Sequence, residues 1–203
     1  MQLIGSPASP FVRKVRAVLV YKNIPCALIV DAPSQPGSRV SEYNPLGKIP
    51  VLLTDDGVAI YDSTVIVEYL DTLVPNPPLL PPVGMARVTV KRWEALANGL
   101  LDAAVAIVTE RRRDPAEQSP AWIQKQEGKV NNALAALSAG LGDKAWCHGD
   151  SASLADLATG IALGYLDFRF PEIAWRTRHA NLARLQATLA AWPAFAQTTP
   201  PAA

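Results

Sequence analysis

Between Pro75 and Pro82, five of eight residues are proline, in the run Pro75-Asn76-Pro77-Pro78-Leu79-Leu80-Pro81-Pro82. Proline lacks a backbone N–H and holds φ near about −65°, so no helix interior or central strand passes through such a run. The 203-residue chain is thereby divided into residues 1–75, a linker over 76–85 and a longer part, 86–203. Leu79 and Leu80 give the linker apolar side chains to bury, so it is expected to lie pinned to a surface. With 49% hydrophobic and 18% charged residues, both parts can fill a core.

Ahead of the linker the pattern alternates between strand and helix. Met1 to Ile4 reads as a short strand. Pro10 to Tyr21 reads as a helix, with apolar residues at Phe11, Val12, Val15, Val18 and Leu19. Cys26 to Val30 reads as a second strand, parallel to the first by the handedness of βαβ units. Residues 32–44 are polar and hold either a loop or a short irregular helix. Val51–Thr54, the turn Asp55-Asp56-Gly57 and Val58–Tyr61 read as a hairpin. Ser63 to Leu73 then carries helical spacing. The order β-α-β-(α)-β-β-α is that of a thioredoxin-like domain.

Beyond the linker every periodic segment is helical: 86–112, 119–141, 154–168 and 179–191, all with many alanines. Ser153-Leu154-Ala155-Asp156 predicts a capping box that opens the most apolar helix of the chain, expected at the centre of an all-α bundle.

Bulk properties exclude several function classes. A formal net charge of +1 points to neither a nucleic-acid nor a membrane-surface partner. No apolar run approaches the roughly 18 residues of a membrane helix. Cys26 and Cys147 are the two cysteines. They form neither a redox pair nor a zinc pattern, and free thiols in a reducing compartment are expected, with no metal. Met1 leads straight into the first strand with no basic-then-apolar leader, which predicts a soluble cytoplasmic protein.

Three stretches can carry chemistry. In the first, Ser9 stands at the N-cap and Pro10 at the first helical position of the helix that follows the opening strand. The free N–H groups of that helix start attract anions, thiolates included, and they surround one serine hydroxyl. In the second, Lys48-Ile49-Pro50-Val51 follows the turn Asn44-Pro45-Leu46-Gly47. A proline directly before a strand is either an ordinary trans residue or a cis one; a cis bond would free the N–H and C=O of Ile49 to pair with a peptide ligand. In the third, Ser63 is expected to cap the helix 63–73, with Asp62 just outside it. The pair either caps the helix alone or holds both charges of an amino-acid head group, the carboxylate on the helix start and the ammonium on Asp62. A thiolate anchor beside an amino-acid anchor suits a γ-glutamyl thiol tripeptide.

Ser9-Pro10-Phe11, Asn44 through Leu52, Asp62-Ser63 and Ser153 through Asp156, in this order and spacing, resemble the glutathione S-transferase superfamily, and within it the small bacterial YibF-type transferases. The likeness runs along the whole chain. It implies a thioredoxin-like glutathione-binding domain over 1–75 and an all-α helical-bundle domain over 86–203. It implies a serine-type site in which the Ser9 hydroxyl donates to the glutathione thiolate, with Phe11 beside the thiol pocket. Ile49 would pair with the cysteinyl backbone, Pro50 would be the cis-proline, and Lys48 would lie near the glycyl carboxylate. Asp62 and Ser63 would hold the γ-glutamyl group, where the family pattern is Glu-Ser. Arg39 is the one candidate for a further basic residue that some serine-type classes carry ahead of Asn44.

Glutathione is then a co-substrate. A free thiol near 8.5 is mostly protonated at neutral pH; a serine donor and a helix start would lower that value by roughly one to two units. The thiolate would attack a small hydrophobic electrophile, the reaction of a detoxifying transferase. On the helix 86–112, Asn98, Asp102 and Val105 share one face and Trp93, Ala97 and Leu100 another. The first three are the candidates for the second-substrate pocket; the core is the other reading of either face. Arg111-Arg112-Arg113 reads as a solvated helix end. The superfamily likeness further implies a homodimer. Two alternatives stand beside the transferase: a binding or regulatory protein of the same fold, and a glutathione-dependent thiol reductase or peroxidase.

Overall fold

The computed structural model describes residues 1–201. They form two units: Met1–Leu80 together with the residues from Ala190 onward, and Pro81–Leu189.

In the first unit, β1 (Gln2–Gly5) runs into α1 (Pro10–Tyr21), then β2 (Ala27–Val30), the one-turn α2 (Val40–Tyr43), β3 (Val51–Leu53), β4 (Ala59–Ile60) and α3 (Ser63–Leu73). The sheet order is β2-β1-β3-β4. β1 and β2 pair in parallel, while β1–β3 and β3–β4 are antiparallel. This is the thioredoxin-like arrangement read from the element order. Leu3, Val12, Val15, Val18, Leu52, Ile66, Val67 and Leu70 bury the faces that β1, α1, β3 and α3 turn inward. A second apolar cluster joins Ile4, Val40 and Val51, with Tyr43 and Ile49 packed on it.

β1 approaches α1 closely at its end. A Cβ on Gly5 would lie 2.4 Å from Val12 Cγ2, so no larger residue fits there unless α1 shifts.

The proline run is pinned, as expected. Leu79 and Leu80 are buried, and their N–H groups donate to the two oxygens of Asp71 at 2.9 and 3.0 Å. The fully buried Lys22 ammonium lies 2.6 Å from Asp71 Oδ1. It also donates to the carbonyls of Val74 and Pro77 at 2.7 and 2.5 Å. One cation thus collects acceptors where proline leaves carbonyls without a helical or sheet partner.

Sequence periodicity assigns everything after the linker to the helical part, yet the residues from Ala190 pack with the first unit. Trp192 stacks on Tyr21 with centroids 5.8 Å apart. The Arg13 guanidinium sits 5.9 Å from the Phe195 ring centroid and donates to the Phe195 carbonyl at 3.4 Å. These contacts join residues more than 170 positions apart, which no local pattern reports.

The second unit holds α4 (Gly84–Glu110), α5 (Pro120–Leu141), α6 (Leu154–Arg169), α7 (Trp175–Arg178) and α8 (Ala180–Ala190). α4 packs against both α5 and α6. Every residue from Leu154 to Leu166 is buried, so α6 is the core helix its composition predicts. The capping box at its start is formed and does more than cap. Asp156, fully buried, accepts from Ser153 N and Oγ at 2.8 and 3.0 Å and from Cys147 N at 2.7 Å. One carboxylate therefore ties the helix to the loop before it. No helix among the described residues is long and apolar enough to cross a membrane.

Candidate functional site

Strand register decides what meets what. Ile4, one residue before the end of β1, pairs with Val51, the first residue of β3. Leu52 pairs with Ile60, the last residue of β4. The chain therefore leaves β1 toward Ser9, enters β3 from Pro50 and leaves β4 toward Asp62 at one and the same end of the sheet. Three stretches spread over more than fifty residues of sequence converge there.

At the first, Ser9 is the N-cap of α1: it has extended backbone and its Oγ accepts from Val12 N at 3.4 Å. A serine oxygen that accepts in this way still has its own proton to donate. No acidic side chain lies in the first turn of α1, so the positive end of the helix is not neutralised from within. Phe11 is half-buried in that turn.

At the second, Asn44 organises the loop. It is 1% exposed. Its Nδ2 donates to the Lys48 carbonyl at 2.8 Å and its Oδ1 accepts from Leu46 N at 3.0 Å. Its own carbonyl accepts from Gly47 N at 2.8 Å. Gly47 has φ +59°, the left-handed region that glycine enters without strain. The loop is thus held from inside, and Lys48 is exposed. The Ile49–Pro50 bond is cis. Ile49 precedes the first residue of β3 and stands outside its ladder, while its side chain packs on the Ile4–Val40–Val51 cluster.

At the third, the sequence expectation is corrected. The cap of α3 is Asp62, whose Oδ1 accepts from Thr64 N at 2.9 Å, and Ser63 is the first helical residue. Asp outranks a helical Ser here because its carboxylate reaches the second N–H of the turn. Ser63 is buried, whereas Asp62 is exposed with its second oxygen not engaged by the cap. The Tyr61–Asp62 bond is also cis, a feature that no residue signal announces.

Asn98, Asp102 and Val105 belong to the other unit, on α4. Asp102 is exposed and Asn98 and Val105 are half-buried, whereas Trp93, Ala97 and Leu100 are buried. The second face is therefore the core face and the first is the more exposed one. Arg39 forks onto Glu42 through Nε and Nη2 at 3.0 and 2.8 Å. Arg111 pairs with Glu127 and Glu172 at 3.2 and 3.0 Å, and Arg113 pairs with Glu110 and Glu117 at 3.4 and 3.3 Å. Asn44 as the loop's organiser and Asp62 as the cap are what the sequence reading missed. An Asn-Pro turn start and an Asp before a helical run are the signals that would have found them.

A thioredoxin-like mixed sheet followed by a helical unit is the architecture of the glutathione S-transferases. Family models for the glutathione S-transferase N-terminal and C-terminal domains match residues 3–78 and 120–185, and the chain belongs to that superfamily. It is 37% identical over 203 residues to the uncharacterized GST-like protein YibF of Escherichia coli K12, covering 100% of both chains. Among solved structures it is similar to a glutathione S-transferase from Methylobacterium radiotolerans in complex with glutathione sulfonate. That match has a TM-score of 0.95 and 42% identity, over 100% of this chain and 95% of the other. A glutathione S-transferase from Methylobacillus flagellatus with glutathione bound matches with TM-score 0.95 and 44% identity, over 98% and 99% of the two chains.

Proposed function

We propose that this protein binds glutathione at the sheet end where the three stretches converge, and transfers its thiolate to a small electrophile. The domain over 1–75, together with the residues from Ala190 that pack with it, is the glutathione-binding one, and Pro81–Leu189 supplies the helical domain. Ser9 is the catalytic residue: its O–H donates to the thiolate, which the start of α1 also favours. Phe11 borders the sulfur. The backbone of Ile49, outside the β3 ladder, pairs with the cysteinyl residue beside Pro50, and Lys48 attracts the glycyl carboxylate. Asp62 takes the γ-glutamyl ammonium and Ser63 its carboxylate. In the transfer, sulfur forms a bond to the electrophilic carbon and the leaving group departs with its electron pair. Asn98, Asp102 and Val105 are the residues offered to the second substrate.

The observation that carries this reading is the register, which brings the stretches of Ser9, Ile49-Pro50 and Asp62-Ser63 to one sheet end in a chain whose structural relatives are described with glutathione sulfonate or glutathione bound. Calorimetric titration with glutathione in two buffers of different ionisation enthalpy tests it. Binding with proton release near neutral pH is expected. Binding without proton release would overturn the role of Ser9, and no binding at millimolar ligand would overturn the transferase reading in favour of a binding or regulatory protein of the same fold.

A homodimer belongs to the same reading. Val65 and Leu73 on α3, and Met85 and Val88 on α4, are large apolar side chains left 47 to 75% exposed, and such surfaces favour a partner. Sedimentation at micromolar concentration should give a dimer mass. A cytoplasmic location and a detoxifying role complete the proposal.

A further inference from the structure

The three consecutive arginines after α4 are not equally engaged. Arg111 and Arg113 each hold two glutamates. Arg112 is exposed, and among the described residues no carboxylate pairs with it. α4 ends at Glu110, yet Arg112 N still donates to the Thr109 carbonyl at 3.2 Å, so the chain keeps its helical course. The face of α4 that carries Asn98, Asp102 and Val105 therefore runs on through Thr109 to Arg112.

The end of α6 lies beside this turn, because Arg111 sits 5.3 Å from the Phe170 ring centroid and 3.0 Å from Glu172. In the last turn of α6 the Arg169 guanidinium lies 3.9 Å from the Phe168 ring centroid. A guanidinium held flat on a ring offers its N–H edges to a planar acceptor. Its Nε is buried with no acceptor, and among the described residues no carboxylate pairs with Arg169. Tyr165, one turn earlier and buried, meets Phe168 edge-on at 6.4 Å. Burial pushes its phenol above the ordinary value, and the charges that oppose this are Arg169 and Arg112. It is thus a neutral donor close to both cations.

The carboxylates at these helix ends are taken. Asp167 accepts from Trp175 and Arg176, Glu110 holds Arg113 and Glu172 holds Arg111. Asp102 stands about 15 Å back along the α4 axis at 1.5 Å per residue. Two cations and a neutral hydroxyl without an anion of the protein's own suit a carboxylate.

We propose that Arg112, Arg169 and Tyr165 select a second substrate that carries a carboxylate apart from its electrophilic carbon. The inference rests on the transferase reading and narrows its electrophile to an anionic one.

Conjugation of para-(chloromethyl)benzoate and of the neutral para-(chloromethyl)benzamide by the full chain tests the proposal. In each, the glutathione sulfur bonds to the benzylic carbon and chloride leaves with the C–Cl electron pair. With the uncatalysed rate subtracted, kcat/KM is expected to be on the order of tenfold higher for the carboxylate. Inert para-methylbenzoate should compete with the electrophile and not with glutathione. Arg112→Gln and Arg169→Gln should each raise KM for the carboxylate and bring the ratio of the two probes toward one. Equal kcat/KM for both probes on the native chain would overturn the proposal without recourse to any variant. So would competition of para-methylbenzoate with glutathione, or variants that keep the native preference. Failure of the underlying reading has a different signature, no calorimetric binding of glutathione and no conjugation of either probe, and it removes this proposal as well.

Discussion

Ser9→Ala removes one oxygen that caps α1 in the structure and that the proposed function also sets against a thiolate, and the magnitudes of the two effects differ enough to be read apart. As a cap, Ser9 accepts from Val12 N at 3.4 Å, longer than the usual 2.9–3.0 Å. Its loss should therefore cost about 0.5–1 kcal/mol, the low end for N-caps. For a chain of this length that lowers the melting midpoint by roughly 1–4 °C. As the proposed donor to a bound thiolate, the hydroxyl would make a charge-assisted bond of about 1.5–3 kcal/mol. Losing it should raise the pKa of bound glutathione by about 1–2 units. The assay is the ultraviolet absorbance of thiolate in the complex, followed as pH is raised. Transfer to an electrophile should fall by roughly 10- to 100-fold at neutral pH, and the deficit should close as pH passes the raised value. Ser9→Thr keeps both functions and should stay close to the native protein. Ser9→Asp keeps the cap but sets a negative charge against the sulfur, so it should hold its stability and lose the thiolate. A bound-thiol pKa that does not move in Ser9→Ala would refute the assignment of Ser9, whatever its effect on stability.

Gly5→Ala places a methyl 2.4 Å from Val12 Cγ2; it should cost about 1–3 kcal/mol, with Gly5→Ala/Val12→Ala recovering part of that in denaturant titration. Lys22→Met removes the cation from the Asp71 carboxylate and the donor from the carbonyls of Val74 and Pro77. A loss of about 3–5 kcal/mol is expected, and a thermal midpoint within the error of the native value would contradict it. Asp156→Ala leaves three buried donors without their acceptor, and several kcal/mol should be lost, about 1–3 for each donor left unpaired. Burial, helped by the neighbouring Asp156 charge, pushes the Cys147 thiol well above its ordinary value. An acid raised on folding gives stability that is complete below its unfolded pKa, about 8.5, and is lost as pH rises through the folded value. Stability above about pH 8.5 should thus fall more steeply in the native chain than in Cys147→Ala, by up to about 1.4 kcal/mol per pH unit; parallel slopes would rule the effect out.

What was legible in the sequence was whatever is local. Ser9-Pro10, the Asp55-Asp56-Gly57 turn and Ser153–Asp156 each announce themselves within a few residues, and the strands and long helices that were expected end within about two residues of the observed ones, whereas the one-turn helix α7 carries no such signal. The convergence of Ser9, Pro50 and Asp62 was reached through likeness to a family, because register is a property of strand pairs that no single segment displays. The cap of α3 was misassigned by one position: Asp62 and Ser63 are both good cap residues, and only the backbone decides between them. The Lys22–Asp71 pair and the return of Trp192 and Phe195 to α1 were invisible for a simpler reason. Charged and aromatic side chains carry no label for a partner fifty or more residues away.

That return has a consequence for synthesis. The first eighty residues leave the ribosome early, but the wall that Trp192 and Phe195 lay against α1 cannot form until more than a hundred further residues have been added. At about 5–20 residues per second the delay is on the order of ten seconds. The unit that is made first is therefore completed late, and until then the nascent chain shows its surroundings the side of α1, with Arg13 and Tyr21, that Phe195 and Trp192 later cover.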